Sequence, residues 1–315
     1  MKSLALTFAF VLCAHSAAAQ ECGDAVLSEV AASLLLDHGN AAGAPSPALL
    51  AAALREAGSS LPSAKVIVLP ADDDERGRAR WLNARYNEAD GPGVCGEAVG
   101  QRRVLVFGVR AGSLRRVGDD LIAQWDSAFE DAYLVAVNES GGAQALAIPE
   151  DRRIEIPEGL VRAQLMATGP SGPRPVADWG ASRLPELPQA RTSEGRLARL
   201  REASGVGGLR PNRLLAQAAQ RHAQAVCREH RARHVFDSWP ADRMRRLGLR
   251  ARHLGETVAR ASSVDGALEA LAQSPSHRMA LVDRRFTDVG VGVVRSRGES
   301  CVVVFLAAWP QAIAF

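Results

Sequence analysis

Apolar residues recur at three-to-four spacing near the start of the chain, at Leu27, Val30, Leu34 and Leu35, and predict a helix from Ala25. Residues 39–47 interrupt it, and a second helix is expected over residues 47–57. The texture then changes. Short β-type runs stand at residues 66–69, 103–109, 133–137, 144–148 and 153–156, separated by Gly, Asn, Asp and Pro. This half reads as a helical hairpin in front of a strand-rich sheet or small sandwich. It holds no catalytic motif, and the acidic run from Asp72 to Glu75 reads as a solvated loop.

Residues 169–188 contain five prolines and three glycines without periodicity, so residues 169–192 are expected to be a linker. Beyond it the helical period returns. Ser193 stands as an N-cap for a helix to about Ala203, and residues 211–231 place Leu214, Leu215, Ala218, Ala219, His222 and Val226 on one side. Short helices follow at 240–247 and 264–273, and two strands, 289–295 and 301–308, close the chain. Helices followed by a terminal strand pair indicate an α+β layer fold.

The first 19 residues do not belong to either half. Lys2, the apolar run from Leu4 to Cys13, and Ala17-Ala18-Ala19 have the three parts of an export signal. Neither Cys13 nor Cys22 follows a small residue, which argues against a lipoprotein anchor, and no stretch approaches the ~20 apolar residues of a membrane span. A secreted or periplasmic protein without a transmembrane anchor is the expectation. The domains are then residues 20–168, strand-rich, and residues 193–313.

Export changes the meaning of the cysteines. Cys22, Cys95, Cys227 and Cys301 remain after cleavage, an even number suited to two disulfides. Cys22 with Cys95 and Cys227 with Cys301 keeps each bridge within one domain, although four cysteines allow three connectivities. Charge is split: residues 193–315 carry 20 Arg against 11 acids, a balance of +9, whereas residues 20–192 balance at −7. Docking of the halves on one another, or plain solvation, is ranked above a basic face for anionic lipid. Arg without interleaved aromatics in an exported chain does not suggest a nucleic-acid partner.

Six ordered motifs give the C-terminal half its resemblance. Leu214-x-x-x-Ala218-Ala219-x-x-His222-Ala223 is followed twelve residues after His222 by His234. Pro240-Ala-Asp-Arg-Met244, Gly255-Glu256-Thr257, Ser274-Pro-Ser-His277-Arg278 and Arg285-Phe-Thr-Asp-Val-Gly-Val-Gly-Val293 come next. Residues 193–310 thereby resemble the bacterial branch of the CAP superfamily, that of cysteine-rich secretory, antigen 5 and pathogenesis-related proteins. The resemblance implies an α-β-α sandwich and a cleft lined by His234, Glu256 and His277. Ala198, Thr257, Leu271 and Ser276 depart from its usual Asn, Asn, Trp and Gly, and Ser274 stands where the eukaryotic branch has a second glutamate.

Two imidazoles without a close third ligand would hold Zn or another divalent cation weakly at His234 and His277, with water completing the shell. Glu256 is the candidate for a general base, or for orienting a histidine ring. His222, on an apolar helix face, reads as a satisfied core residue, while His230, His253 and Glu269 read as solvated. No Gly-x-Ser-x-Gly elbow occurs. The leading expectation is a non-enzymatic extracytoplasmic binding module for a lipid, an envelope polymer or a protein. The alternative is a metal-assisted hydrolase using His234, Glu256 and His277.

Overall fold

The computed structural model describes residues 22–38, 44–72, 75–89, 91–169 and 172–310; the expected export signal lies outside the described residues. Leu27, Val30, Ala31 and Leu34 form the buried face of helix α1 (Ala25–His38). Helix α2 (Pro47–Glu56) begins at Ser46, whose hydroxyl accepts the Leu49 N–H, with Pro47 in the first turn. Strand β1 (Ala64–Pro70), helix α3 (Glu75–Glu88), β2 (Gly93–Val99) and β3 (Arg102–Val109) complete this layer. Its antiparallel sheet has the order β1-β3-β2. Helices α1 and α2 pack against Val104 and Val106, while Leu82 of α3 packs with Cys95 and Phe107. Helix α3 has no apolar stripe, and Leu82 is its buried residue, so periodicity missed it. Asp72 and Glu75 are exposed as expected, but Glu75 opens α3 instead of lying in a loop and pairs with Arg103 at 3.5 Å.

Strands β4 (Gly112–Val117), β5 (Asp120–Trp125), β6 (Ala132–Asn138), β7 (Ala143–Ala147), β8 (Arg153–Glu155), β9 (Leu160–Gly169) and β10 (Gly172–Trp179) form two further sheets. Their orders are β4-β5-β8 and β10-β9-β6-β7, and Leu121, Leu134, Leu165 and Val176 lie in the core they share. The linker expected at residues 169–192 is overturned in its first half: β10 pairs with β9 from Gly172 to Trp179. Pro173 and Pro175 misled the sequence reading, yet an edge strand tolerates the missing N–H donors. The second half, residues 180–192, is extended chain held down by buried Leu184 and Leu187.

The C-terminal half comprises α4 (Ser193–Ala203), β11 (Arg210–Pro211), α5 (Arg213–Arg228), α6 (Pro240–Arg245), β12 (His253–Ala261), α7 (Val264–Gln273), α8 (Pro275–Leu281), β13 (Asp288–Ser296) and β14 (Glu299–Ala308). The sheet order is β11-β13-β14-β12. Every residue of β14 beyond Glu299 is buried. Val302, Val304 and Leu306 face Leu197, Leu268 and Leu271, while Val303 and Phe305 face Leu215, Ala219 and Val226. This is the expected α-β-α sandwich, although Leu214 of the anticipated apolar face is 41% exposed. A Cβ at Gly290 or Gly292 would lie 2.1 Å from Ala216 N or 2.2 Å from Ala219 C, so α5 rests directly on β13. Disulfides join Cys22 to Cys95 and Cys227 to Cys301, the pairing favoured from sequence.

The halves meet at α8. Arg278 is 1% exposed; its Nε donates to Gly141 O at 2.8 Å and its Nη1 to Pro185 O and Ala272 O at 3.0 Å. Gln164 of β9 accepts the Ser276 N–H at 3.1 Å, satisfying a donor in the first turn of α8. At the other end buried Arg201 donates to Leu281 O and Asp283 O, both at 2.9 Å. The extended segment is stitched to α7: Gln273 exchanges two hydrogen bonds with the Leu184 backbone, and Glu269 accepts the Leu187 N–H at 3.0 Å. Glu269, expected on a solvated helix face, is thus a half-buried anchor for that segment.

Gly141 has φ +80°, and a Cβ there would lie 2.2 Å from Arg278 Nη2. Gly141→Ala should therefore lower stability by roughly 2–4 kcal/mol. The control Gly159→Ala, at φ +68° with open space around it, should cost about 1 kcal/mol; urea denaturation compares the two.

Buried His222 donates Nε2–H to Arg233 O at 2.8 Å. Burial, chiefly, pulls its pKa below the ordinary value of 6.5. The unfolded chain then binds the extra proton, so this contribution is present above about pH 6.5 and is lost as pH falls below it. Stability measured between pH 7.5 and 5 should decline less in His222→Gln than in the parent protein. Equal declines would show that His222 does not titrate on unfolding.

Candidate functional site

Three elements bring the expected cleft residues together. His234 sits in the irregular segment between α5 and α6, Glu256 on β12, and His277 in the first turn of α8. His234 Nδ1 lies 2.9 Å from Glu256 Oε1. A carboxylate only accepts, so Nδ1 carries the proton and the Nε2 of the neutral ring keeps its lone pair. The His234 and His277 rings stand 6.4 Å apart between centroids. Among the pair, His234 is the open one, with 46% of its side chain exposed, whereas Glu256 is 2% exposed.

Arg243 holds this arrangement and received no role from sequence. From α6 its Nη2 donates to Glu256 Oε2 and, at 3.0 Å, to His234 O, while its Nη1 donates to Ser238 O at 2.5 Å. One guanidinium thus fixes the carboxylate and the backbone of the histidine that the carboxylate orients. The signal was present in the Pro-x-Asp-Arg motif, read there only as a mark of resemblance. His222 approaches the same carboxylate at 3.8 Å, but its bond to Arg233 O makes it a core residue, as expected.

His277 is set by α8. Its Nδ1 is buried without a hydrogen-bond partner, and burial, helped by His234, pushes its pKa down to about 4. The ring is therefore neutral at physiological pH, the form in which imidazole offers a lone pair. Ser274 and Ser276 lie within 3.5 Å of one another at the α7–α8 junction. Thr257, in place of the resembled Asn, is fully buried with Oγ1 unpartnered. Ser274 supplies no carboxylate where the eukaryotic branch has one, and Glu269 does not replace it because it lies against Leu187.

His230 and His253 make no hydrogen bond with His234, Glu256 or His277. His230 pairs with Glu299 at 3.2 Å, and His253 opens β12, half-buried. Among the described residues no group of three or more His, Cys, Asp or Glu is placed to hold a metal ion. His234 and His277 would fit a divalent cation only as a two-imidazole pair; His277 keeps one ring nitrogen without a hydrogen-bond partner, and His234 keeps the lone pair of Nε2. Neither Glu256 oxygen is unpaired.

The family model of CAP, the cysteine-rich secretory protein family, matches residues 195–306. No curated protein matches the chain. An outer surface protein of Borrelia burgdorferi is similar at 19% identity over 37% of this chain and 90% of its own, with a TM-score of 0.35. An extracellular protein containing an SCP domain from Bacillus anthracis shows 14% identity over 72% of this chain and 70% of its own, at 0.34. A cysteine-rich secretory protein from Staphylococcus aureus shows 9% over 62% and 82%, at 0.31. At such scores the assignment rests on the family match and on six motifs in order. Residues 195–306 are a CAP domain, preceded in this chain by a strand-rich N-terminal region.

Proposed function

We propose that the protein is an exported, non-enzymatic binding module whose CAP cleft takes a divalent cation weakly between His234 and His277. The observation that carries this reading is the state of Glu256. Its Oε2 is paired with Arg243 and its Oε1 with His234 Nδ1, and its side chain is 2% exposed. A carboxylate so engaged orients a ring and balances a guanidinium; it is poorly placed to take a proton from water. The hydrolase alternative needs that same carboxylate free.

The cation, when bound, would serve as a Lewis acid for an oxygen of a ligand. This chain's contribution is to hold His234 in one tautomer, keep His277 neutral and leave the outer side of the cleft open. Export is supported by two disulfides, which persist in oxidising compartments. No helix among the described residues is long and apolar enough to cross a membrane. The ligand class is that expected from the sequence: a lipid, an envelope polymer or a protein.

Calorimetric titration with zinc at about pH 7.5, where imidazole is mostly neutral, should give weak binding near one equivalent that His234→Ala/His277→Ala abolishes. Absence of binding, or binding that the double variant retains, would overturn the cation site. Ester or phosphodiester hydrolysis lost in a folded Glu256→Gln variant would overturn the non-enzymatic reading.

A further inference from the structure

A cavity of about 440 Å³, whose lining includes none of His234, Glu256 and His277, lies where α2, β9, β10 and α7 meet. One side is apolar, with Leu50, Ala51 and Leu54 of α2, Leu61 after it, and Ala270 of α7. The other brings three guanidinium groups from separate parts of the chain: Arg55 of α2, Arg162 of β9 and Arg183 of the extended segment. Asp178 and Glu269 are the acids on the lining, which leaves one positive charge in excess.

The acids are already engaged. Asp178 accepts Gln164 Nε2 at 2.7 Å and Arg162 Nη2 at 3.3 Å, and Glu269 accepts Leu187 N and Gln273 Nε2 at 3.0 Å. Arg162 is 3% exposed, yet its Nε and Nη1 have no hydrogen-bond partner. Of five N–H donors on a guanidinium, a single nitrogen is in use here. The Arg55 guanidinium has no hydrogen bond or ion pair among the described residues; burial lowers its pKa, and the nearby Arg162 and Arg183 charges lower it further. Arg183 stands at the mouth, 61% exposed, with Glu186 at 3.0 Å. A buried guanidinium with idle donors is costly, and a carboxylate is the acceptor whose geometry matches it. The apolar wall and a volume within the usual ~300–1,000 Å³ of small-molecule sites argue for an organic acid over an inorganic anion.

We propose that this cavity binds an organic carboxylate with a short apolar body, its head between Arg55 and Arg162 and its body along Leu50, Leu54 and Leu61. The site is separate from the CAP cleft and does not depend on the function proposed for it. Two sources share this chemistry, a free monocarboxylic acid and the C-terminal carboxylate of an apolar peptide.

The test is calorimetry on the mature chain with octanoate and with acetyl-Ala-Leu, beside acetate, octan-1-ol and acetyl-Ala-Leu-amide. Octanoate or the free-acid dipeptide should bind, the tighter of the two identifying the source, while acetate, the alcohol and the amide should bind at least tenfold more weakly. Arg55→Gln and Arg183→Gln, both partly exposed positions whose replacement leaves the core intact, should each weaken binding about tenfold by removing one charge–carboxylate contact, about 1.4 kcal/mol. His234→Ala/His277→Ala should leave it unchanged. No binding by either acid, equal binding of octan-1-ol, or full binding in Arg55→Gln would overturn the proposal.

Discussion

Two buried guanidinium groups fix the short helix on which the site depends. Arg278, within α8, gathers carbonyls from the Asn138–Gly142 turn, from residue 185 and from the end of α7. Arg201, from α4, gathers the carbonyls that leave the C-terminal end of α8. Each exchanges a desolvated charge for several charge-assisted hydrogen bonds, and each would leave several buried carbonyls without donors if removed, at about 1–3 kcal/mol apiece. Helix α8 has only seven residues, too few to be stable alone. Its position, and with it that of His277, is set by partners outside it.

The consequence is that the strand-rich region belongs to the architecture of the CAP half. Gln164 satisfies the α8 N-terminus from β9, Gly141 receives Arg278 from a turn between β6 and β7, and the segment after β10 lies along α7 through Glu269 and Gln273. The opposite charge balances of the two halves contribute little to this. Arg231–Glu88, at 3.6 Å between half-exposed side chains, is the kind of surface pair worth at most about 1 kcal/mol. Docking rests instead on buried hydrogen bonds to backbone, which are directional and tolerate no sliding.

Much of the C-terminal fold was legible because its elements carry strong local signals: α5 shows an apolar stripe, and a helix starts at Ser193 as expected, although its cap is Thr192, whose hydroxyl accepts the Gly195 N–H, and not Ser193. Parity and domain boundaries favoured, among three possible connectivities, the disulfide pairing that the structure shows. What stayed hidden depends on tertiary partners. Helix α3 buries Leu82 alone, and β12 carries the polar Gly-Glu-Thr stretch in a strand whose burial comes from pairing with β14. Strand β10 looked like a linker because prolines at an edge strand resemble those of a spacer. The site showed the same division. His234, Glu256 and His277 were named from motifs, whereas Arg243, which holds Glu256 in place, stood within the Pro240-Ala-Asp-Arg motif and was read only as part of the resemblance, because its partners come from other elements. Glu269 misled for the same reason: its partner is a backbone N–H 82 residues away in sequence.

If α8 is positioned from outside, its backbone protection must be shared with the turn that holds it. Amide hydrogen exchange on the parent protein and on Arg278→Met tests this directly. The account predicts that the variant loses protection together in α8 and in the Asn138–Gly142 turn, while α5 and β14 remain protected. Protection lost in α8 alone, with the turn unchanged, would mean that the helix is held within its own domain and would contradict the account.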